Sequence, residues 1–533
     1  MNQLASFVKK LPFEDASLQP EQAAWDKFRA AEHLCRRTNQ RLRAEKLVGR
    51  ERHSSIRECA RQWIARVIGH KPDMQKIYER CDFGPGASLG VHGTATHRAA
   101  KLESESWTVT PTALPFALSA MAGEPLIWEL LQQRSIFSMD LPLFKGLFHS
   151  KTEKVSANKI IMVPKTAVVH RTIAIEPLLN GLVQKGVDVY LRGRLRRFGL
   201  DLEDQESNSE LARLGSLGGF NPFSTIDLSS ASDSLSIGAV KDLLPPDWFS
   251  LMSALRSPSY ESEWGCGRYH KFVSMGNGFC FPLETLIFAS IAYAVGVVTG
   301  DSEFRVYGDD IIVHQRAALL VVEVLKFYGF RTNIDKTFFF GPFRESCGAD
   351  FYEGVPVRPY NLDFVPKTDW DIYKVYNGMR LRHPDCPQAV LDAILAPIPV
   401  KERLYRPVDG PPAGAATVPI DVFMGHCSSL WNRDYQSWSW HEYVDTGVSD
   451  PRRPSPATEM YGALSGNSPL TPNFRKDVKS DDMYRPEFTF RRRTKTRVKL
   501  VPSSQSRAAP SVPLYGRIAP FLQLEWRLAT SVS

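Results

Sequence analysis

Cysteine is scarce in this 533-residue chain: eight residues, scattered from Cys35 to Cys427, with no Cys-x-x-Cys pair and no finger-like spacing to histidine. That pattern excludes a disulfide framework and a structural zinc finger, and it fits a reducing cytoplasm. The stretch MNQLASFVKKLPF has no apolar segment of the signal-peptide kind. Internal repeats are absent. Long apolar runs are missing too, with one exception, FCFPLETLIFASIAYAVGVV, Phe279 to Val298. Pro282 and Glu284 inside that run, and a glycine loop before it, predict a buried core helix rather than a membrane span.

What is present describes an ordinary globular protein, 43% hydrophobic and 23% charged. The length allows roughly three to four domain-sized units or one multi-lobed fold. Basic residues outnumber acidic ones, 66 to 58, for a formal charge of +8. An anionic partner is therefore plausible, with nucleic acid the leading candidate.

The region from Pro20 to Gly69 predicts helices, because Ile56, Ala60, Trp63, Ile64, Val67 and Ile68 recur at helical spacing before Gly69. The stretch CRRTNQRLRAEK gives it a basic face. Asp82 to Arg98 is a glycine-rich loop, which suits either a plain surface loop or an approach to phosphate. Asn158 to Pro177, NKIIMVPKTAVVHRTIAIEP, predicts two strands, and a helix with the basic stretch YLRGRLRRFG follows. Strand-like and helix-like segments alternate from Ser224 to Tyr360. Beyond that come the Pro-rich connectors RPVDGPPAGAATVP and DPRRPSPATEM.

The chemistry concentrates in a few short motifs. FRVYGDDIIVHQ sets Asp309 beside Asp310 on a one-glycine corner between apolar runs. It is either an ordinary hairpin turn or a site where a divalent cation offsets the repulsion of two carboxylates. In IDLSSASDSLS, Asp227 ends a strand-like run and Asp233 opens a helix, which also suits a plain helix start. SMGNGFCFPLE supplies a Gly-x-Gly loop holding Ser274, Asn277 and the flanking Gly276 and Gly278. Lys165 and Arg171 lie upstream, and Lys336 sits in a polar gap of FYGFRTNIDKTFFF.

Taken in order, a basic hairpin, a strand-end aspartate, a glycine loop before a helix, a YGDD hairpin and a lysine resemble a template-directed right-hand polymerase. The closest likeness is to the replicase beta subunit, an RNA-directed RNA polymerase, of single-stranded positive-sense RNA bacteriophages. It is carried by VPKTAVVHRTIAIEP, IDLSSASDSLS, SMGNGFCFPLETLIFAS and VYGDDIIV, between about Lys154 and Tyr360. The resemblance implies an α+β fold with fingers, an antiparallel palm sheet backed by helices, and a thumb. The expected division is residues 1–150 as an N-terminal helical region with part of the fingers, 151–220 as basic finger strands and helix, 221–360 as palm, and 361–533 as thumb and C-terminal region.

The same resemblance implies Mg²⁺ (two ions, with Mn²⁺ possible as a substitute) held by Asp227, Asp309 and Asp310. Lys336 is then a general acid for the leaving pyrophosphate, and Lys165 and Arg171 meet the triphosphate. Asp233, Ser274 and Asn277 would read the nucleotide, Asp233 and Asn277 its ribose. Implied partners are RNA template and product, ribonucleoside triphosphates, host elongation factors Tu and Ts, and a small-subunit ribosomal protein, in the cytoplasm of the infected bacterium and without a primer. A reverse transcriptase and a non-catalytic RNA-binding protein on a polymerase scaffold are the rival readings; Gly308, Asp233 and Asn277 favour ribonucleotides over the first. Two segments stay open: YQSWSWHEY, whose Trp438, Trp440 and Tyr443 either stack on a nucleotide or pack, and the basic run Arg491 to Lys499, either an RNA-backbone contact or a solvated tail.

Overall fold

The computed structural model describes residues 19–49, 52–91, 98–132, 140–165, 170–362, 364–407, 414–427, 431–432, 437–445 and 496–502. The described residues up to Arg358 form one compact unit, and those from Pro359 onward form a second. Helices and strands are mixed throughout, which makes the fold α+β.

The first unit opens with helix α1, Pro20–Val48, which ends at Gly49 in the left-handed conformation. Its buried stripe, Ala24, Phe28, Ala31, Cys35, Thr38 and Leu42, with Trp25 beside it, advances by four and three residues in turn, the spacing of one helix face. Helix α2, Ser54–Ile68, buries the apolar positions expected from the sequence, Ile56, Ala60, Trp63, Ile64, Val67 and Ile68. A short parallel pair, β1 (Trp107–Val109) and β2 (Thr152–Lys154), leads into the hairpin of β3 (Ala157–Pro164) and β4 (His170–Ile175), paired antiparallel with Pro164 opposite His170. Helix α3, Leu178–Arg197, and helix α4, Glu206–Ser216, follow.

Strand β5, Phe223–Ile226, belongs to the sheet that organises the unit. β6 (Ser259–Ser262) and β7 (Gly265–Arg268) extend the β3–β4 hairpin into a four-stranded sheet, ordered β4-β3-β6-β7. Trp25 and Phe28 of α1 stack on each other and pack edge-on against Tyr260 of that sheet. Helix α5, Cys280–Thr299, is the long apolar run. By length and composition it could cross a membrane, yet most of it is buried. An all-round apolar helix needs cover on every side, and the main hydrophobic cluster supplies it with side chains of α2, α3 and helix α6, Gln315–Phe327.

β8 (Phe304–Tyr307) and β9 (Asp310–His314) complete the organising sheet, antiparallel in the order β5-β9-β8. Central β9 is apolar on both faces. Ile311 and Val313 join the main cluster, while Ile312 packs with Leu211 and Ala212 of α4. Helices thus back the sheet on both sides. β10 (Phe343–Ser346), β11 (Ala349–Tyr352) and β12 (Val355–Pro356) form a small antiparallel sheet at the end of this unit.

The second unit has its own core around Tyr373, Tyr376, Met379, Leu391, Ile398, Phe423 and Trp440. Its first helix, Asp369–Arg382, starts on a reciprocal cap between Thr368 and Asp371. Trp440 is buried and donates its Nε1 to Glu442, so in this structure it packs rather than stacks on a free surface. The strand Ser437–Asp445 pairs antiparallel with Thr496–Pro502, with Lys499 opposite Glu442. Of the basic run, 496–499 therefore lie in a strand, and Arg491 to Lys495 fall outside the described residues.

One buried charge cluster ties the N-terminal helices to the core. Asp242 accepts two bonds from the Arg57 guanidinium (2.8 and 3.0 Å), one from Arg61 (2.6 Å) and one from Tyr328 (2.7 Å). Burial raises the carboxyl, but the Arg57 and Tyr328 hydrogen bonds and the guanidinium charges override it, so Asp242 titrates below its usual range. Its stabilising contribution is present above the unfolded pKa and fades as pH falls through the lower folded one. Asp242→Asn leaves the buried Arg57 charge without its fork-shaped counter-ion, and we expect a loss of about 3 kcal/mol, read as a lower midpoint in urea denaturation at pH 7, with a smaller difference from the parent in acid.

Candidate active site

The register Ile226↔Ile311, carried one step on, sets Asp227 beside Asp310 at one end of the sheet. Asp309 stands next to them in the two-residue turn that joins Tyr307 to Asp310. Two adjacent carboxyl groups and a third from more than eighty residues earlier in the chain therefore share one corner. Gly308 makes the corner possible. Its φ is +60°, the positive value required at the first turn position of a tight hairpin. A Cβ there would sit 2.4 Å from the Phe281 ring. The Gly308 N–H donates to Thr285 Oγ1 at 3.0 Å, so the turn is fastened to α5.

Burial raises the pKa of all three carboxyls. Asp227 is held by Asn333, whose Nδ2 donates to Oδ2 at 2.6 Å, and by Thr337 Oγ1, which accepts the Asp227 N–H at 3.2 Å. Asp309 is raised by burial and pulled back by its own backbone N–H and by the charges of Lys165, Lys336 and Arg171. Asp310 is pushed up to about 6 by burial and then by Asp309, with a backbone N–H from Cys347 opposing the rise. Among the described residues no three His, Cys, Asp or Glu side chains stand close enough to hold a metal ion on their own.

Three cations face these acids. Lys165 ends up below its usual pKa through burial and through Arg171, Lys27 and Lys336 nearby. For Lys336, burial works against the charge, but the hydrogen bond to Glu345 Oε1 (2.7 Å) and the charges of Glu345, Asp227 and Asp310 outweigh it. Its pKa is raised, so it stays an ammonium.

Asp233 lies in the short helix Ala231–Ser234, where the buried Lys271 ammonium donates to Oδ1 at 2.6 Å. Ser274 and Asn277 are buried in the loop before α5, and Asn277 Oδ1 accepts the Phe279 N–H at 3.1 Å. The loop lies against β4. Ala174 N–H donates to Met275 O at 2.7 Å, and a Cβ on Gly276, φ +115°, would meet Ala174 O at 2.1 Å. Only glycine fits that position.

The sequence reading did not single out Asn333, Glu345, Lys271 or Glu284. Asn333 lies three residues before Lys336 in the same polar gap, a signal that could have been used. Lys271 carried none, since it sits within the run YHKFV and its partners are distant. Glu284 reads in the sequence only as an interruption of an apolar helix.

The chain matches the family model described as RNA replicase, beta-chain, over residues 3–383. It is 38% identical over 383 residues to the RNA-directed RNA polymerase subunit beta of Enterobacteria phage SP, covering 70% of this chain and 62% of that one. The Escherichia virus Qbeta protein of the same name is 38% identical across 69% of this chain and 60% of its own. The RNA-directed RNA polymerase beta chain of Escherichia phage MS2 is 38% identical over 57% of this chain and 53% of that one. The matches thus span roughly three fifths or less of the length of these relatives. A solved structure, the BmCPV RNA-dependent RNA polymerase at elongation state, aligns over 64% of this chain and 33% of its own at 11% identity and a TM-score of 0.38, too remote to bear on the site.

Glu284 offers a test of how dry this corner is. It is buried at the start of α5, accepts from the Cys280 thiol at 3.3 Å, and is pushed up to about 8 by burial, with Asp309 and Asp233 adding to the rise and Ser232 and Cys280 opposing it. The folded chain therefore holds a proton that the unfolded chain releases near pH 4.5, and stability falls as pH rises from there to about 8. Glu284→Gln removes that slope. Thermal unfolding of parent and variant should diverge in the variant's favour between pH 5 and pH 8; parallel curves would mean that folding binds no proton at Glu284.

Proposed function

We propose that this chain, which belongs to the RNA replicase beta-chain family, is an RNA-directed RNA polymerase that copies a phage RNA genome by divalent-metal-dependent nucleotidyl transfer without a primer. One observation carries the reading: Asp227, Asp309 and Asp310 meet at a single sheet end, near enough to Lys165, Arg171 and Lys336 for their charges to act on Asp309. A structural turn has no need of three half-dry carboxyls and three cations.

The donor set fits Mg²⁺, and Mn²⁺ as a substitute. The ligands are oxygens only, burial raises each carboxyl pKa, and a dication would lower all three at once. Asp227, Asp309 and Asp310 would hold such ions, with water and substrate phosphate completing the ligand set, as is usual for Mg²⁺ at phosphoryl-transfer sites. Bound there, the metal would supply charge stabilisation for the attacking 3′-hydroxyl and the departing pyrophosphate.

The chain's own groups do the rest. Lys165, just past β3, and Arg171, in β4, take the triphosphate charge, Arg171 as a fork and Lys165 as a point charge. Lys336, kept protonated by Glu345, donates toward the leaving pyrophosphate. Lys271 occupies one oxygen of Asp233 and leaves the other to accept from the ribose 2′-hydroxyl. Asn277, with its carbonyl oxygen committed to Phe279, offers its NH₂ to the same hydroxyl, and Ser274 anchors the loop.

On this reading residues 221–360 are the palm, 151–220 and part of 1–150 the fingers, and 361–533 the thumb and C-terminal region. RNA template and product and ribonucleoside triphosphates are the substrates. The family resemblance adds host elongation factors Tu and Ts and a small-subunit ribosomal protein as partners in the bacterial cytoplasm.

Incorporation of ribo- and deoxyribonucleotides on an RNA template tests the proposal. Ribonucleotide synthesis supports it, deoxyribonucleotide synthesis indicates a reverse transcriptase, and RNA binding without incorporation indicates a non-catalytic protein. Asp227→Asn and Asp309→Asn each remove a ligand charge at nearly constant size, and each should lower Mg²⁺-dependent turnover on the order of a hundredfold or more while leaving RNA binding intact. Near-normal turnover in Asp309→Asn would defeat the metal assignment. Asn277→Ala should narrow the gap in kcat/KM between a ribonucleotide and its 2′-deoxy counterpart, because a site built to pair a hydroxyl penalises its absence. An unchanged ratio would move ribose reading elsewhere.

A further inference from the structure

Glu176 directly follows strand β4 and is buried, a carboxyl taken out of water. Three donors converge on it: Asn158 Nδ2 at 2.7 Å on Oε1, and Gln184 Nε2 at 3.1 Å and Ser257 Oγ at 3.0 Å on Oε2. Burial raises this carboxyl, with the three hydrogen bonds and the Arg256 guanidinium opposing the rise. A buried carboxyl removes one strong acceptor from solvent at considerable cost, and a plain core would do without it.

Two chains of hydrogen bonds lead from Glu176 toward the loop before α5. In the first, Gln184 Nε2 donates to Glu176 while its Oε1 accepts the Gly278 N–H at 3.0 Å. In the second, Asn158 Nδ2 donates to Glu176 while its Oδ1 accepts the Tyr269 hydroxyl at 2.8 Å, beside the side chain of Ser274. The loop runs from Ser274 to Gly278, so the first chain holds its far end and the second stops next to its near end. Every donor points toward the carboxylate. An acceptor-only group at the hub fixes the direction of every bond beyond it, and with it the orientation of both amides.

We propose that Glu176 is a positioning residue that sets the Ser274–Gly278 loop, and with it Asn277, through these two directed chains. The inference rests on the polymerase reading and deepens it: Glu176 touches no substrate and acts on ribose selection through the loop. Replacing the carboxylate by an amide puts NH₂ where one donor already points, so one chain must open.

The test compares parent, Glu176→Gln and Tyr269→Phe, the last removing only the hydroxyl that donates to Asn158 beside Ser274. Amide hydrogen exchange of the peptide over residues 274–280 should speed up in Glu176→Gln, with the interior of α5 unchanged. In single-nucleotide incorporation, the ribo-to-deoxyribo ratio of kcat/KM should fall about tenfold in Glu176→Gln, the worth of roughly one hydrogen bond, through a higher KM for the ribonucleotide. Tyr269→Phe should move the ratio the same way by less. Lower thermal stability with exchange and ratio unchanged in both single variants would overturn the proposal. A parent with no incorporation would defeat the polymerase reading instead, while the exchange result would still judge the loop.

Discussion

Three carboxyl groups that repel one another and have lost much of their water cannot share a corner unless the backbone leaves them no choice. The β5–β9 register supplies that constraint. It fixes Asp227 against Asp310, and the tight turn at Gly308 places Asp309 beside them. Each carboxyl pays in a raised pKa, and the surrounding cations return part of that cost. The helices behind the sheet exist to make this register rigid. Ile311 and Val313 lock β9 to the main core, Ile312 locks it to α4, and a slip by one residue would exchange the two faces.

A second layer of polar order stands behind the first. Asn333 holds Asp227, Glu345 holds Lys336, Lys271 holds Asp233, and Glu176 reaches the glycine loop through Gln184. The Lys271 ammonium is buried and the Lys336 ammonium half-exposed, and each pairing removes a rotamer choice from a group at the site. The glycines serve the same end from the backbone side. Gly308 and Gly276 lie where a single methyl group would collide with a ring or a carbonyl.

Much of this was legible in the sequence, and the physical reason is locality. The YGDD corner, the α2 stripe and the apolar α5 run each declare themselves within twenty residues, because turn chemistry and periodicity are short-range signals. The charge partners are not local. Lys271 meets Asp233, and Asn333 meets Asp227, across long separations that no periodicity records. Glu176 reads as one more acid before a proline until its three donors are known. For Trp440 the sequence leaves stacking on a nucleotide and packing both open, and the structure shows packing: it fills the second core. Composition names the residue types, and only tertiary pairing assigns them.

The pairing of β5 with β9 also has a history on the ribosome. Ile226 waits for Ile311, and at ordinary elongation rates the delay is on the order of ten seconds. During that interval β5 presents an open edge, and then α5 emerges, apolar on every side, with α2 and α3 already made but its later partner α6 still unsynthesised. A nascent chain in that condition is a substrate for chaperones and a template for aggregation. Yield in the cell will then depend on translation speed between residues 227 and 310 as much as on the stability of the finished fold.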